Sequence, residues 1–221
     1  MSGSADVKKS FIGALKNSDR KDIPYRHWLL NDIFSDNHID DLLALPIAVP
    51  QMDYSSGQRQ GNNDKRGYFD AARQREFPIC GKIAGALQSP ETIRAIEDLC
   101  EIDLGGTYLR IEYTQDGPGF WLEPHTDIRV KKFTMLVHLS RDEDAHLWGT
   151  TIYKDANTVW GMSNANTNHG TIFIPADDTW HGYEKRPMSG IRKSLIINYV
   201  TDQWRAREEL AFADTPVNSV R

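Results

Sequence analysis

Beyond Gly105 and Gly106 the chain breaks into short runs, β-branched or aromatic and separated by turn residues: "TYLRIEYTQ", "KFTMLVHLS", "LWGTTIY", "HGTIFIP" and "RKSLIINYV". Side chains of this kind fit a pleated, half-buried surface. Strand after strand, with no alternating helices, predicts an antiparallel sandwich or barrel rather than a parallel sheet.

The first 104 residues have another character. "IFSDNHIDDLLAL" carries apolar residues at helical spacing behind a Ser35 or Asp36 cap. "FPICGKIAGALQ" and "SPETIRAIEDLCE" read as two more helices, the second capped by Ser89 with Pro90 in its first turn. The chain therefore reads as one mainly β (α+β) domain. Residues 1–104 form a mostly helical support, 105–204 the β-rich core, and 205–221 a closing helix ("TDQWRAREELAFA") and tail. The polar stretch at 54–67, rich in Gly and Asn, reads as an exposed loop, either a substrate lid or an inert surface segment.

Composition narrows the partners. In 221 residues the formal net charge is −5, which opposes nucleic-acid binding, and no basic stripe interleaved with aromatics is present. Six Trp, eight Tyr and eight Phe predict an aromatic-rich core or pocket. No apolar run is long enough to span a bilayer, and the first residues lack the apolar core of a signal peptide, so a soluble, cytoplasmic protein is expected. Cys80 and Cys100 lack metal-type spacing and read as buried small apolar residues.

Chemistry concentrates in "GFWLEPHTDIRVKKFTMLVHLS". His125 and Asp127 stand two apart, and on a β-strand such residues share a face. "IPADDTWHGYEKRP" adds His181 after a strand and turn, and "GIRKSLIINYV" adds Arg192 with Ser194 on the same face. Two imidazoles and one carboxylate suit a divalent first-row metal, and with open positions they suit non-haem Fe(II). An arginine with a hydroxyl two residues on is a forked receptor for a carboxylate.

From about Gly105 to Trp204 the sequence resembles the prolyl-hydroxylase-like branch of the Fe(II)/2-oxoglutarate-dependent oxygenases. The matching segments are "LRIEYTQDGPGFWLEPHTD", "KKFTMLVHLS", "GTIFIPADDTWHGYE" and "GIRKSLIINYV". They reproduce in order a strand ending in Tyr, a Gly-containing turn, H-x-D, a T-x-L strand, a Phe-Pro strand, a distal His and R-x-S. The resemblance implies a double-stranded β-helix, or jelly roll, with N-terminal supporting helices. It implies Fe(II) on His125, Asp127 and His181, the distal carboxylate of 2-oxoglutarate on Arg192 and Ser194, and dioxygen as the oxidant. Tyr113 falls where the family often has a cosubstrate-contacting phenol, though a strand aromatic packed in the core reads equally well. Thr134 sits on a strand face that reaches toward the same molecule.

The family's Gly-Gly on the fourth strand is replaced by "AHLWGTTIY", so Trp148 or Tyr153 is expected to fill part of the substrate wall. Arg129 reads either as a contact for an anionic substrate or as a solvated charge, and His138 as a core histidine beside the pocket. A retained Asp127 keeps the position that a halogenase would need for chloride. The resemblance therefore implies hydroxylation of an unactivated C–H, with 2-oxoglutarate converted to succinate and carbon dioxide. A small polar metabolite is the expected substrate. The alternatives are a residue of a protein or peptide and, from another class, a non-catalytic metal-containing jelly-roll binding module.

Overall fold

A computed structural model of the chain describes residues 2–58 and 66–219. Its helices are α1 (Ser2–Lys16), α2 (Asp36–Leu43), α3 (Ala71–Glu76), α4 (Pro78–Leu87) and α5 (Pro90–Cys100). The strands are β1 (Asp19–Lys21), β2 (His27–Leu30), β3 (Gly67–Tyr68), β4 (Tyr108–Asp116), β5 (Leu122–His125), β6 (Lys131–His138), β7 (Thr151–Asp155), β8 (Thr158–Met162), β9 (Gly170–Phe173), β10 (His181–Tyr183) and β11 (Arg192–Val200). They form two antiparallel sheets, a seven-stranded one in the order β1-β2-β9-β6-β11-β4-β3 and a four-stranded one in the order β5-β10-β7-β8.

The larger sheet is buried on both faces, because its two sets of alternating side chains meet different partners. Leu109, Ile111 and Tyr113 of β4, Phe133, Met135 and Val137 of β6, and Leu195, Ile197 and Tyr199 of β11 join the helices in one apolar core. Each fully buried Leu, Ile or Phe there contributes roughly 1.5–3 kcal/mol. The opposite face carries Arg192, Ser194, Ile196 and Asn198 of β11, directly across from Asp116, Thr114, Glu112 and Arg110 of β4. This second face looks toward the smaller sheet: Leu136 and Phe173 pack there with Ile152 of β7 and with Tyr25.

Expected helices α2, α4 and α5 form where the sequence placed them, with Ser35 and Ser89 as N-caps. The support is not wholly helical, since β1, β2 and β3 join the larger sheet. The closing helix expected in "TDQWRAREELAFA" is not formed beyond a 3-10 turn at Arg207–Glu209. There the backbone follows β4 instead, with Ala211 N–H donating to Leu109 O (2.9 Å) and Val217 N–H to Thr107 O (2.7 Å). Of the 54–67 loop, residues 59–65 lie outside the described residues, so a lid role falls largely there. No helix among the described residues is long and apolar enough to cross a membrane.

Candidate metal centre

His181 opens β10 and His125 closes β5, and the two are direct cross-strand partners in the antiparallel ladder. Their rings lie 4.3 Å apart, centroid to centroid. Each Nδ1 faces a backbone carbonyl, His125 that of Glu123 and His181 that of Thr179, both at 2.9 Å. A carbonyl only accepts, so each Nδ1 carries the proton and each Nε2 is left with its lone pair. Both imidazoles thus stand in the tautomer a metal requires. Burial pushes the His181 pKa down to about 4, against an upward pull from Asp127 and with a further push down from His125. At neutral pH it is an uncharged imidazole.

Asp127 joins them by a route the sequence did not suggest. β5 ends at His125, so strand alternation does not align the pair, and Asp127 lies in the connection to β6. Two bonds from β6 hold it: Lys131 Nζ donates to Oδ1 and Thr134 Oγ1 to Oδ2, each at 2.6 Å. Burial raises the carboxyl's pKa, but Lys131, then His181, and the bonds from Lys131 and Thr134 more than offset this and hold it well below the usual range. Behind Thr134 the bonding has only one consistent sense. Its single hydroxyl proton goes to Asp127, so it accepts from Asn198 Nδ2 (2.9 Å), and Asn198 Oδ1 in turn accepts from Arg110 Nη1 (3.3 Å). One ligand-capable atom from each of His125, Asp127 and His181 falls within 4.8 Å of the others. Two lone-pair imidazoles and one anionic oxygen at that spacing fit a divalent iron ion.

The triad opens onto a cavity of about 60 Å³, lined among others by Phe120, Lys131, Thr134, Leu136, Ile196 and Arg192. Arg192 is buried at one end, where Nε donates to Trp148 O (2.8 Å), Nη1 to Asp116 Oδ2 (2.8 Å) and Nη2 to Thr150 Oγ1 (3.5 Å). Between Ile196 and Arg192 on the same face of β11 stands Ser194, and opposite it on β6 stands His138. Ser194 Oγ and His138 Nε2 are buried without a hydrogen-bond partner. Orphaned polar atoms are costly in a native interior and call for a ligand or water. Neither of the two lines the cavity itself; they stand beside Arg192, which does, and next to a guanidinium such groups suit a carboxylate.

The other expected site residues fall elsewhere. Tyr113 points into the helix-backed core, on the face of β4 away from the cavity. Trp148 is fully buried in a cluster with Phe120, Tyr183 and Met188, behind Arg192 rather than on a substrate wall. Tyr153 is buried and does not line the cavity. Arg129 projects from a turn, 86% exposed, and pairs with the equally exposed Asp177 (2.9 Å). The sequence marks Lys131 only as part of a local basic patch with Arg129 and Lys132, and gives Asn198 and Asp116 no role, because their roles depend on cross-strand register. His138, which the sequence reads as a satisfied core residue, has an unsatisfied Nε2 instead.

Residues 54–58 pack behind one wall of the cavity, where the ring of Tyr54 meets that of Phe120 edge-on at 5.5 Å. Tyr54 OH accepts from Gly117 N–H (2.8 Å), Trp121 Nε1 donates to Tyr54 O (2.7 Å), and Glu123 N–H donates to Gly57 O (2.9 Å).

No family model matches the sequence, and no curated protein does either. Solved structures do. A prolyl 4-hydroxylase from Phytophthora capsici superposes over 91% of this chain with a TM-score of 0.59 at 14% identity. The fold is that of the prolyl 4-hydroxylases. The chain spans 66% of the Phytophthora protein's length. A prolyl hydroxylase from Trichoplax adhaerens, solved with a peptide fragment of the oxygen degradation domain of hypoxia inducible factor, matches over 90% of both chains (TM-score 0.54, 14% identity). The viral collagen prolyl hydroxylase of Paramecium Bursaria Chlorella virus-1, solved as its 2OG complex, matches 79% of this chain and 96% of its own (TM-score 0.53, 14% identity).

Proposed function

We propose that the protein is an Fe(II)- and 2-oxoglutarate-dependent dioxygenase that hydroxylates an unactivated C–H of a small polar substrate. The observation that carries this reading is the cross-strand histidine pair, both rings in the ligand tautomer, sharing one cavity with Asp127 and Arg192. His125, Asp127 and His181 hold the iron, which supplies the oxidising chemistry with dioxygen and 2-oxoglutarate as co-reactants. Asp116 and Trp148 fix the Arg192 guanidinium, and that guanidinium, with Ser194 Oγ and His138 Nε2, receives the cosubstrate's distal carboxylate. Phe173, its ring 4.6 Å from that of His181, and Phe120 keep water from the reacting centre. The viral neighbour's 2OG complex supports the choice of cosubstrate.

A narrow cavity supports a small substrate. A peptide residue is the second reading, favoured by the peptide bound to the Trichoplax neighbour. It is also favoured by an open groove of about 540 Å³ between β1 and β8, lined by the exposed Ile23, Trp160 and Met162 and by Ile152, the cross-strand partner of His181.

Succinate formed from 2-oxoglutarate by iron-loaded protein in air tests the chemistry. Wild type is expected to release succinate in an iron-dependent way, and His181→Ala and Arg192→Ala to lose it. Equal succinate from wild type and His181→Ala would remove the triad from the reaction. Stimulation of succinate release by peptides, abolished in Trp160→Ala, would select the second reading over the first.

A further inference from the structure

Lys131 sits where a metal-binding pocket gains least from a cation. Its side chain is only 18% exposed, it lines the cavity, and its ammonium lies 2.6 Å from the carboxylate that completes the triad. Arg192, the other cation lining the cavity, has its own buried carboxylate in Asp116 at 2.8 Å. Lys131 has Asp127 as its counterion, so a divalent ion at the triad must share a single negative charge with an ammonium. In a poorly hydrated cavity like charges a few ångströms apart repel strongly. A dianionic ligand arriving beside both cations removes that repulsion.

We propose that Lys131 couples metal binding to anion binding. It holds Asp127 in the ligand position, weakens the hold on a bare divalent ion, and makes the metal and a dianionic ligand enter as a mutually dependent pair. Such coupling is reciprocal: the metal strengthens the anion's binding by the same factor. Lys131 is on this account a positioning residue, and the inference rests on the metal site proposed above.

Mn(II), a redox-quiet stand-in for iron, gives a readout independent of turnover. Its affinity is measured by calorimetry for the full chain, with and without 2-oxoglutarate, in wild type, Lys131→Gln and Lys131→Arg. Lys131→Gln is expected to bind Mn(II) alone about tenfold more tightly than wild type, and the gain on adding 2-oxoglutarate to shrink by about the same factor. Lys131→Arg, which keeps the charge, is expected to behave as wild type does. Equal Mn(II) affinities in wild type and Lys131→Gln would overturn the proposal while leaving the metal site standing. Weaker binding in Lys131→Gln, with or without the anion, would make Lys131 a mere brace for Asp127 and overturn it too. No Mn(II) binding by any of the three would sink the metal site itself, and this inference with it.

Discussion

At the scale of single residues, the triad depends on one hydroxyl. Thr134 bridges Asn198 to Asp127, so Thr134→Val keeps the shape and removes both bonds. Partners behind metal ligands typically govern about 10–100-fold in affinity. Thr134→Val is therefore expected to bind Mn(II) at least tenfold more weakly, and to lose about 1–3 kcal/mol in urea because buried Asp127 Oδ2 and Asn198 Nδ2 each lose a partner. His181 gives a pH signature. Its pKa is about 4 in the folded chain against the ordinary 6.5, so between those values the unfolded chain binds the extra proton and stability falls as pH falls. By pH 5 the metal-free protein is expected to lose roughly 2 kcal/mol relative to pH 7 from this residue. The pKa of His138, pushed down by burial and then by Arg192 and His169, adds a loss of the same sign. Urea titrations at the two pH values check this, and His181→Asn should flatten part of the slope. His125, His181 and Arg192 were legible because their residue types and order are specific. Tyr113 was not, since one position along a strand decides which of two buried faces a side chain meets.

At the scale of elements, β4, β6, β7, β9 and β11 were legible because β-branched runs between turn residues leave few alternatives. β2, β5, β8 and β10 went unread: "HWLL", "LEPH" and "HGY" are too short to show a period, and β8 is an exposed edge. The expected C-terminal helix failed for a different reason. Its charged residues are drawn to β4, with Glu209 on Arg110 and the backbone of Ala211 on Leu109, and this outweighs a weak helical preference. Residues 54–58, packed behind the cavity wall, yield a test of their own. Gly57 has φ +63°, and a Cβ there would lie 2.4 Å from the Trp121 ring. Gly57→Ala must therefore adopt a left-handed backbone and displace Trp121, costing about 1–2 kcal/mol for the backbone alone. The expected outcome is a lower urea midpoint with a blue- or red-shifted tryptophan emission. An unshifted spectrum at full stability would show that this segment does not pack on Trp121.

At the scale of the molecule, a buried charge network ties Glu209 to the candidate metal centre. Arg110 on β4 donates to Glu209 (2.6 Å) and Glu112 (2.9 Å), and Glu112 also meets Arg66 (3.2 Å). Arg110 lies beneath the rings of Tyr68 and Trp204, and its Nη1 continues the line through Asn198 and Thr134 to Asp127. Two functions are therefore stacked on one guanidinium, and variants can separate them. Glu209→Gln removes a charge from a buried set and is expected to cost about 3 kcal/mol, because Arg110 loses a counterion it cannot replace with water. It leaves the bond from Arg110 to Asn198 in place, so Mn(II) affinity should stay within about twofold. Arg110→Met paired with Glu209→Leu removes both charges and restores apolar packing, which is expected to recover much of the lost stability. The same pair frees Asn198 Oδ1 from its donor, and its Mn(II) affinity is expected to drop severalfold despite the recovered stability. If affinity instead tracks stability across both variants, the line from Arg110 to Asp127 carries no orienting information and the network only closes the fold.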